Sequence, residues 1–209
     1  MAESKFSLSR GLKDVVICEV KADSVEAYTP DTLVEQLIPA GTITMGADSE
    51  KQDTYFDNVV FATVGSESST TVTIEGARLK PTMVAKITGK TVDETTGAII
   101  DNGVFVEKYF ALGARIQMLD GSEALTWFLK GTFSIPEETG RTVDDSTDAD
   151  GMTLEFTAVG TKYQFGSDKP VKRVVIDTSV TEVLEEQDWF KQVVTPDKLA
   201  TIVRKKGAV

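Results

Sequence analysis

The acid-rich stretch 137–150, EETGRTVDDSTDAD, holds the side chains most able to bind a metal. A calcium loop of the EF-hand type needs acidic ligands at positions one, three and five, glycine at six and a bidentate Glu at twelve. With Gly151 at position six, Asp148 and Asp150 fall at three and five, but Ser146 falls at one and Thr157 at twelve. Both anchors fail, so the stretch reads as a solvated acidic loop. The neighbouring carboxylates Glu137/Glu138 and Glu185/Glu186 are no stronger as an acid/base pair, since 33 acidic residues make adjacency expected by chance.

The chain has no histidine. That removes the commonest general base and the commonest metal ligand, and with them Ser-His-Asp catalysis, Cys-His catalysis and His-ligated zinc. Cys18 is the one cysteine, so no intrachain disulfide forms. It sits in the apolar run Val15–Val20 without a basic neighbour to activate it and reads as a buried structural thiol. No phosphate-binding glycine loop, dinucleotide fingerprint, nucleophile elbow or C-x-x-C motif occurs. The expectation is a protein that is not an enzyme and uses no cofactor or metal.

Net charge sharpens the exclusion. At −11, with a pI near 4.6, the surface repels nucleic-acid phosphates. The cluster Arg204–Lys206 is too short for a nucleic-acid patch and reads as helix capping. The first residues lack a signal-peptide core, and no run of about eighteen apolar residues exists to span a membrane. The expected place is the cytoplasm, or outside it by a route other than cleaved-signal secretion.

The elements that would position any site are mainly strands. In Lys108–Pro136, Phe110, Leu112, Ala114, Ile116 and Met118 alternate with polar or small residues. Leu125, Trp127, Leu129, Phe133 and Ile135 do the same after Asp120-Gly121. This predicts a β-hairpin. A two-residue loop sets Ile116 against Leu125, Ala114 against Trp127 and Leu112 against Leu129. A four-residue loop keeps the same parity, and a three-residue loop without a bulge is disfavoured. Val15–Val20 is apolar on both faces, which predicts a strand covered on both sides. Further strands are expected in Leu33–Met45, Thr70–Gly76, Met152–Ala158 and Val171–Thr178.

Leu79, Met83 and Ile87, with Pro81 ahead and Gly89 behind, predict a short amphipathic helix over about 80–88. Residues 46–69 form a polar excursion around the apolar patch Tyr55, Phe56, Val59, Val60 and Phe61. It reads either as a surface loop with a short strand or as a long projecting hairpin whose patch contacts another subunit. Ser179–Glu182 carries a capping-box pattern that predicts a helix through Lys191, although Val183, Phe190, Val193 and Val194 also suit extended structure. Thr195-Pro196-Asp197 predicts a small second helix with Leu199 and Ile202 on its apolar side and Arg204–Lys206 at its end. Such a helix must dock on its own domain or on a neighbour.

Several blocks, in order, carry a resemblance. They are GLKDVV (11–16), TVTIEGARL (71–79), KITGK (86–90), ALGARIQ with WFLKGTFSIPEE (within 111–138) and MTLEFTAVG (152–160). Over about 11–165 the chain resembles the major tail proteins of siphophages infecting Gram-positive bacteria; the tail after Thr178 matches less clearly. The resemblance implies a mainly β, tail-tube-type β-sandwich over 1–178 with one packed α-helix and a long projecting loop, plus a C-terminal extension over 179–209. It implies a virion protein made in the host cytoplasm. Hexameric rings would stack into a tube that conducts DNA without binding it specifically, with the tape measure, distal tail and terminator proteins as partners. Tyr55, Phe56, Val59, Val60, Phe61, Leu199 and Ile202 are then the expected assembly interface, and both chain ends would order on assembly. Other readings are a β-sandwich binding module of carbohydrate or adhesin type, a capsid decoration protein and the tube protein of a contractile system.

Overall fold

The computed structural model describes residues 8–56, 59–93, 95–101, 103, 106–136, 151–166, 169–184 and 189–207, and the side chains of these outside 48–68. The acidic stretch 137–150 lies outside the described residues. β1 (Ser9–Asp23) and β2 (Tyr28–Gln36) form one hairpin, and β3 (Ala40–Phe56) and β4 (Val59–Gly76) a second, longer one. After α1 (Pro81–Thr88) come the short paired strands β5 (Thr91–Val92) and β6 (Ile99–Ile100), then the hairpin β7 (Phe110–Met118) and β8 (Glu123–Phe133). β9 (Met152–Ala158), β10 (Arg173–Asp177), β11 (Thr181–Val183), a 3-10 turn (Pro196–Lys198), α2 (Leu199–Ile202) and β12 (Val203–Lys205) follow.

The protein is mainly β, as its alternating sequence predicts. Eight strands make one antiparallel sheet in the order β2-β1-β7-β8-β9-β4-β3, with β10 also paired to β8. The sheet curls. Where the chain crosses from β2 to β3, the Leu37 N–H donates to Val15 O of β1 at 2.9 Å. No helix among the described residues is long and apolar enough to cross a membrane.

Two cores lie on opposite faces of β1, β7 and β8. The first takes Val15 and Ile17, Phe110 and Leu112, Phe128 and Phe133, then Leu154, Phe156, Val72 and Ile74 from β9 and β4. Helix α1 covers it with Val84 and Ile87, beside Leu79 and the half-buried Met83. This is the stripe the 3.6-residue period predicts, and the helix ends at Gly89, whose N–H donates to Ala85 O. The second core takes Val16, Cys18 and Val20, Leu125, Trp127 and Leu129, with Val174 and Ile176 of β10 and Trp189, Val193, Val194 and Ile202 of the tail. The strand expected to be covered on both sides is therefore covered on both.

β8 changes partner midway. Ala124–Phe128 pairs with β10, and Gly131–Phe133 pairs with β9. At the switch, Phe110 stands opposite Gly131 and Leu112 opposite Phe128, so Leu129 and Lys130 face Ala111 alone. One extra residue bends a strand and reverses its inward–outward parity. That is how Phe128 and Phe133, odd in spacing, both reach the first core. Main-chain groups freed by the switch are satisfied: Leu129 N–H donates to Lys172 O at 3.0 Å, and Val159 N–H donates to Lys130 O at 2.9 Å.

The predicted hairpin register is wrong by one residue. Ile116 stands opposite Ala124, Ala114 opposite Thr126 and Leu112 opposite Phe128. The loop has three residues, Leu119 to Gly121, closed by Met118 N–H on Ser122 O at 2.9 Å. Gly121 has φ +84°, the left-handed residue that a three-residue loop with a glycine bulge requires. Parity does not set this register, because the hairpin has more than one buried face. Both faces of β8 are buried, so a shift by one carries an apolar residue to either side.

The tail also differs. Thr181–Val183 is strand β11, paired with β12, where a helix over Ser179–Lys191 was expected; residues 185–188 lie outside the described residues. The start signal at Thr195-Pro196-Asp197 does open a 3-10 turn and α2, but α2 stops at Ile202. Arg204–Lys206 therefore do not end a helix. Arg204 lies in β12 opposite Glu182, with its Nε 2.8 Å from Glu182 Oε2.

Gly131 leaves no room for a side chain: a Cβ there would lie 2.4 Å from both Phe156 Cζ and Thr157 O. Gly131→Ala should lower stability by about 1–3 kcal/mol, read as a lower urea midpoint at unchanged slope. Gly11→Ala, with nothing within 4 Å of the new methyl, should move stability by no more than about 0.5 kcal/mol.

Candidate assembly interface

The polar excursion of the sequence is a hairpin. β3 and β4 pair along their whole length, from Ala40 opposite Gly76 to Phe56 opposite Val59. β9 covers β4 only from Thr70 to Gly76. Beyond the Ala47–Thr70 rung the two strands run on as a ribbon with no third strand on either edge among the described residues. At about 3.4 Å per residue, the ribbon extends roughly 30 Å past that rung.

The register collects the apolar residues of the excursion at its far end, where Tyr55 stands opposite Val60 and Phe56 opposite Val59, followed by Phe61. Side chains of these residues lie outside the described residues. A two-stranded ribbon is at best marginally stable in water, and its two rows of unpaired N–H and C=O groups invite pairing with another chain. The sheet ends with β2 on one side and, on the other, with β3, whose edge continues that of the ribbon.

Leu199 and Ile202 do not join that surface. Ile202 is 1% exposed in the second core and Leu199 is half-buried against it. The Trp127 indole N–H donates to Trp189 O at 3.1 Å, and Leu184 N–H donates to Ile202 O at 3.0 Å. Of the two docking options open to the small helix, the structure shows the one on its own domain.

Among the described residues no three Cys, Asp or Glu groups converge on a point that could hold a metal ion. Cys18 is buried and its Sγ lies 3.3 Å from Asp31 O. Burial, with the charge of Asp31, pushes its thiol up to about 11, so it stays protonated at neutral pH.

The polar contact that sequence reading missed is the pair Asp23–Lys130, 2.7 Å apart, with side chains 3% and 9% exposed. Nothing local signals it, because 107 residues separate the partners. Asp23 also accepts the backbone N–H groups of Lys162 (2.9 Å) and Tyr163 (3.1 Å), and Lys130 lies 4.4 Å from the centre of the Tyr109 ring. The pair thus fastens the end of β1, the bulge of β8 and the loop after β9 at one point. Burial pushes the Asp23 carboxyl up, but Lys130 and the two amides outweigh it and hold it below the usual carboxylate range.

Neither a known family nor any curated protein matches the chain.

A carboxylate whose folded pKa lies below its unfolded value stabilises the fold above the unfolded pKa, about 3.9. That contribution fades as pH falls through the folded pKa. Wild-type stability should therefore decline below about pH 4, and Asp23→Asn should flatten that decline. Leaving Lys130 buried without its partner should cost about 3–5 kcal/mol at neutral pH, measured by urea unfolding across a pH series.

Proposed function

We propose that this chain is a self-assembling structural protein. Copies join head to tail into a hexameric ring, and rings stack into the tail tube through which a phage passes its DNA. The projecting β3–β4 ribbon carries this reading. A ribbon of this length with open edges does not stabilise itself, and a neighbouring copy supplies what it lacks. The edges at β2 and β3 support it further, since a heterologous contact repeated around a closed ring leaves no edge bare. Tyr55, Phe56, Val59, Val60 and Phe61 then contact a neighbour or the next ring, while Leu199 and Ile202 serve the chain's own core.

A net charge of −11 suits a conduit, because basic groups in its lumen would hold phosphates. In this reading the protein is made in host cytoplasm, resides in the virion, and meets tape measure, distal tail and terminator proteins. A carbohydrate-binding module would present aromatics on a flat face. Among the described residues the exposed large apolar side chains include one aromatic, Tyr109, and it is stacked with Lys130.

Cutting the ribbon at the Ala47–Thr70 rung and closing it with Asn-Gly tests the reading. The shortened chain should keep its thermal midpoint within a few degrees, because β9 still covers the remaining part of β4. It should form no rings or tubes by light scattering and negative-stain microscopy where the full chain does. Equal assembly by both chains would overturn the role of the ribbon. A full chain that binds glycans and never assembles would overturn the tube reading.

A further inference from the structure

Trp127 and Trp189 meet in the second core, and only one of their indole N–H groups is satisfied. Trp127 Nε1 donates to Trp189 O at 3.1 Å. Trp189 Nε1 is buried and has no acceptor among the described residues. A buried indole N–H ordinarily finds a partner, because burial without one forfeits the bond it made with water. Trp189 also forms part of the wall of a cleft of about 440 Å³, between the β7–β8 hairpin and the β11–β12 pair. That volume is within the range of small-molecule clefts.

The frame of the cleft is tied across its parts. Glu123 N–H donates to Thr178 Oγ1 at 2.7 Å, and Thr178 N–H donates to Glu123 O at 2.9 Å. Leu125, Val183 and Leu184 give it apolar walls. Its charge is opposite to that of the chain. Arg115, Lys191 and Lys206 line it against Glu123 and Glu182, three cations to two carboxylates, on a chain of net −11. Both carboxylates are already matched: Glu123 Oε2 lies 2.9 Å from Arg115 Nη1, and Glu182 Oε2 lies 2.8 Å from Arg204 Nε.

Two of the three cations are engaged as well. Arg115 Nε has Asp14 Oδ2 at 2.9 Å, off the direction of its N–H, and the guanidinium lies 5.2 Å from the centre of the Phe190 ring. Arg115 is therefore wall, not free donor. Lys206 Nζ donates to Thr178 O. Lys191 is exposed and pairs with no carboxylate among the described residues. One buried N–H and one ammonium are left without an acceptor.

We infer that this cleft binds a small organic carboxylate with an apolar body. One carboxylate oxygen accepts the Trp189 indole N–H, the other faces the Lys191 ammonium, and the body lies against Leu125, Val183 and Leu184. Two open donors match a monoanion with two oxygens; a phosphate, with three strong acceptor oxygens, would be left under-satisfied. The inference goes beyond the assembly reading and does not rest on it.

The test is titration calorimetry of the full chain with phenylacetate. Phenylacetamide keeps the shape without the charge, and acetate keeps the charge without the body. Saturable binding of phenylacetate is expected, about tenfold or more tighter than either control. Lys191→Gln, at an exposed position, should weaken phenylacetate about fivefold or more and leave phenylacetamide unchanged. The chain has two tryptophans, so the 15N-labelled protein shows two indole N–H resonances. One should move with phenylacetate and saturate with it, while the other stays. No saturable binding, equal binding of acid and amide, unchanged affinity in Lys191→Gln, or two unmoved indole resonances overturns the inference. Tubes or their absence by microscopy bear on the assembly reading alone.

Discussion

Strand β8 must bury both of its faces at once, and most of the fold follows from how it does so. Trp127 and Phe128 are adjacent in sequence, yet one anchors the second core and the other the first. An aromatic side chain of roughly 200 Å² removes about 5 kcal/mol of apolar exposure at about 25 cal/mol/Å², as an upper bound. Neither face can be left to water at that cost. The bulge at Leu129–Lys130 reconciles the demands: it turns the strand, switches its partner from β10 to β9, and aims Phe133 at Phe110 and Phe156, with ring centres 5.7 and 4.9 Å away. The Asp23–Lys130 pair sits at the same bend, so the most buried charge in the described residues is also a fastening for the turn.

A sheet apolar on both sides needs two covers. Helix α1 supplies one. The other comes from the last part of the chain, where Trp189, Val193, Val194 and Ile202 close over Trp127 and Leu129. These residues belong to the hydrophobic unit of the sheet. The short β11–β12 pair holds them there through Glu182–Arg204 and the Lys206 N–H bond to Val180 O at 2.9 Å.

What was legible in the sequence was what local period decides. The double apolar face of Val15–Val20, the stripe Leu79–Val84–Ile87 between Pro81 and Gly89, and the alternation Met152–Leu154–Phe156–Ala158 all lie where spacing puts them. What was not legible depended on partners. Register in the β7–β8 hairpin needed the knowledge that Phe128 and Trp127 both have cores to enter. The segment after Ser179 reads as a helix by its cap, but its valine and threonine find a strand partner in β12, and pairing overrides propensity. The candidate site divides in the same way. The ribbon was visible as one of two readings, a projecting hairpin with an apolar patch, and the pairing of β3 with β4 decides for it; its lack of a third strand beyond the Ala47–Thr70 rung and the meeting of Asp23 with Lys130 exist only once the chain is folded.

In the proposed assembly, ribbon and charge would act in opposite directions, and their opposition would set a threshold. A net −11 on each copy repels every other copy over about a Debye length, about 8 Å at physiological salt. The open edges of the ribbon would attract a second copy only at contact. A contact that binds the paired ribbon would stabilise it by mass action. The first contact in such an assembly would meet the repulsion with one edge to offset it, and a copy joining an existing ring would meet it with two. Growth on an existing edge would then be easier than the start of a new one, and a preformed template presenting the matching edge would set where assembly begins.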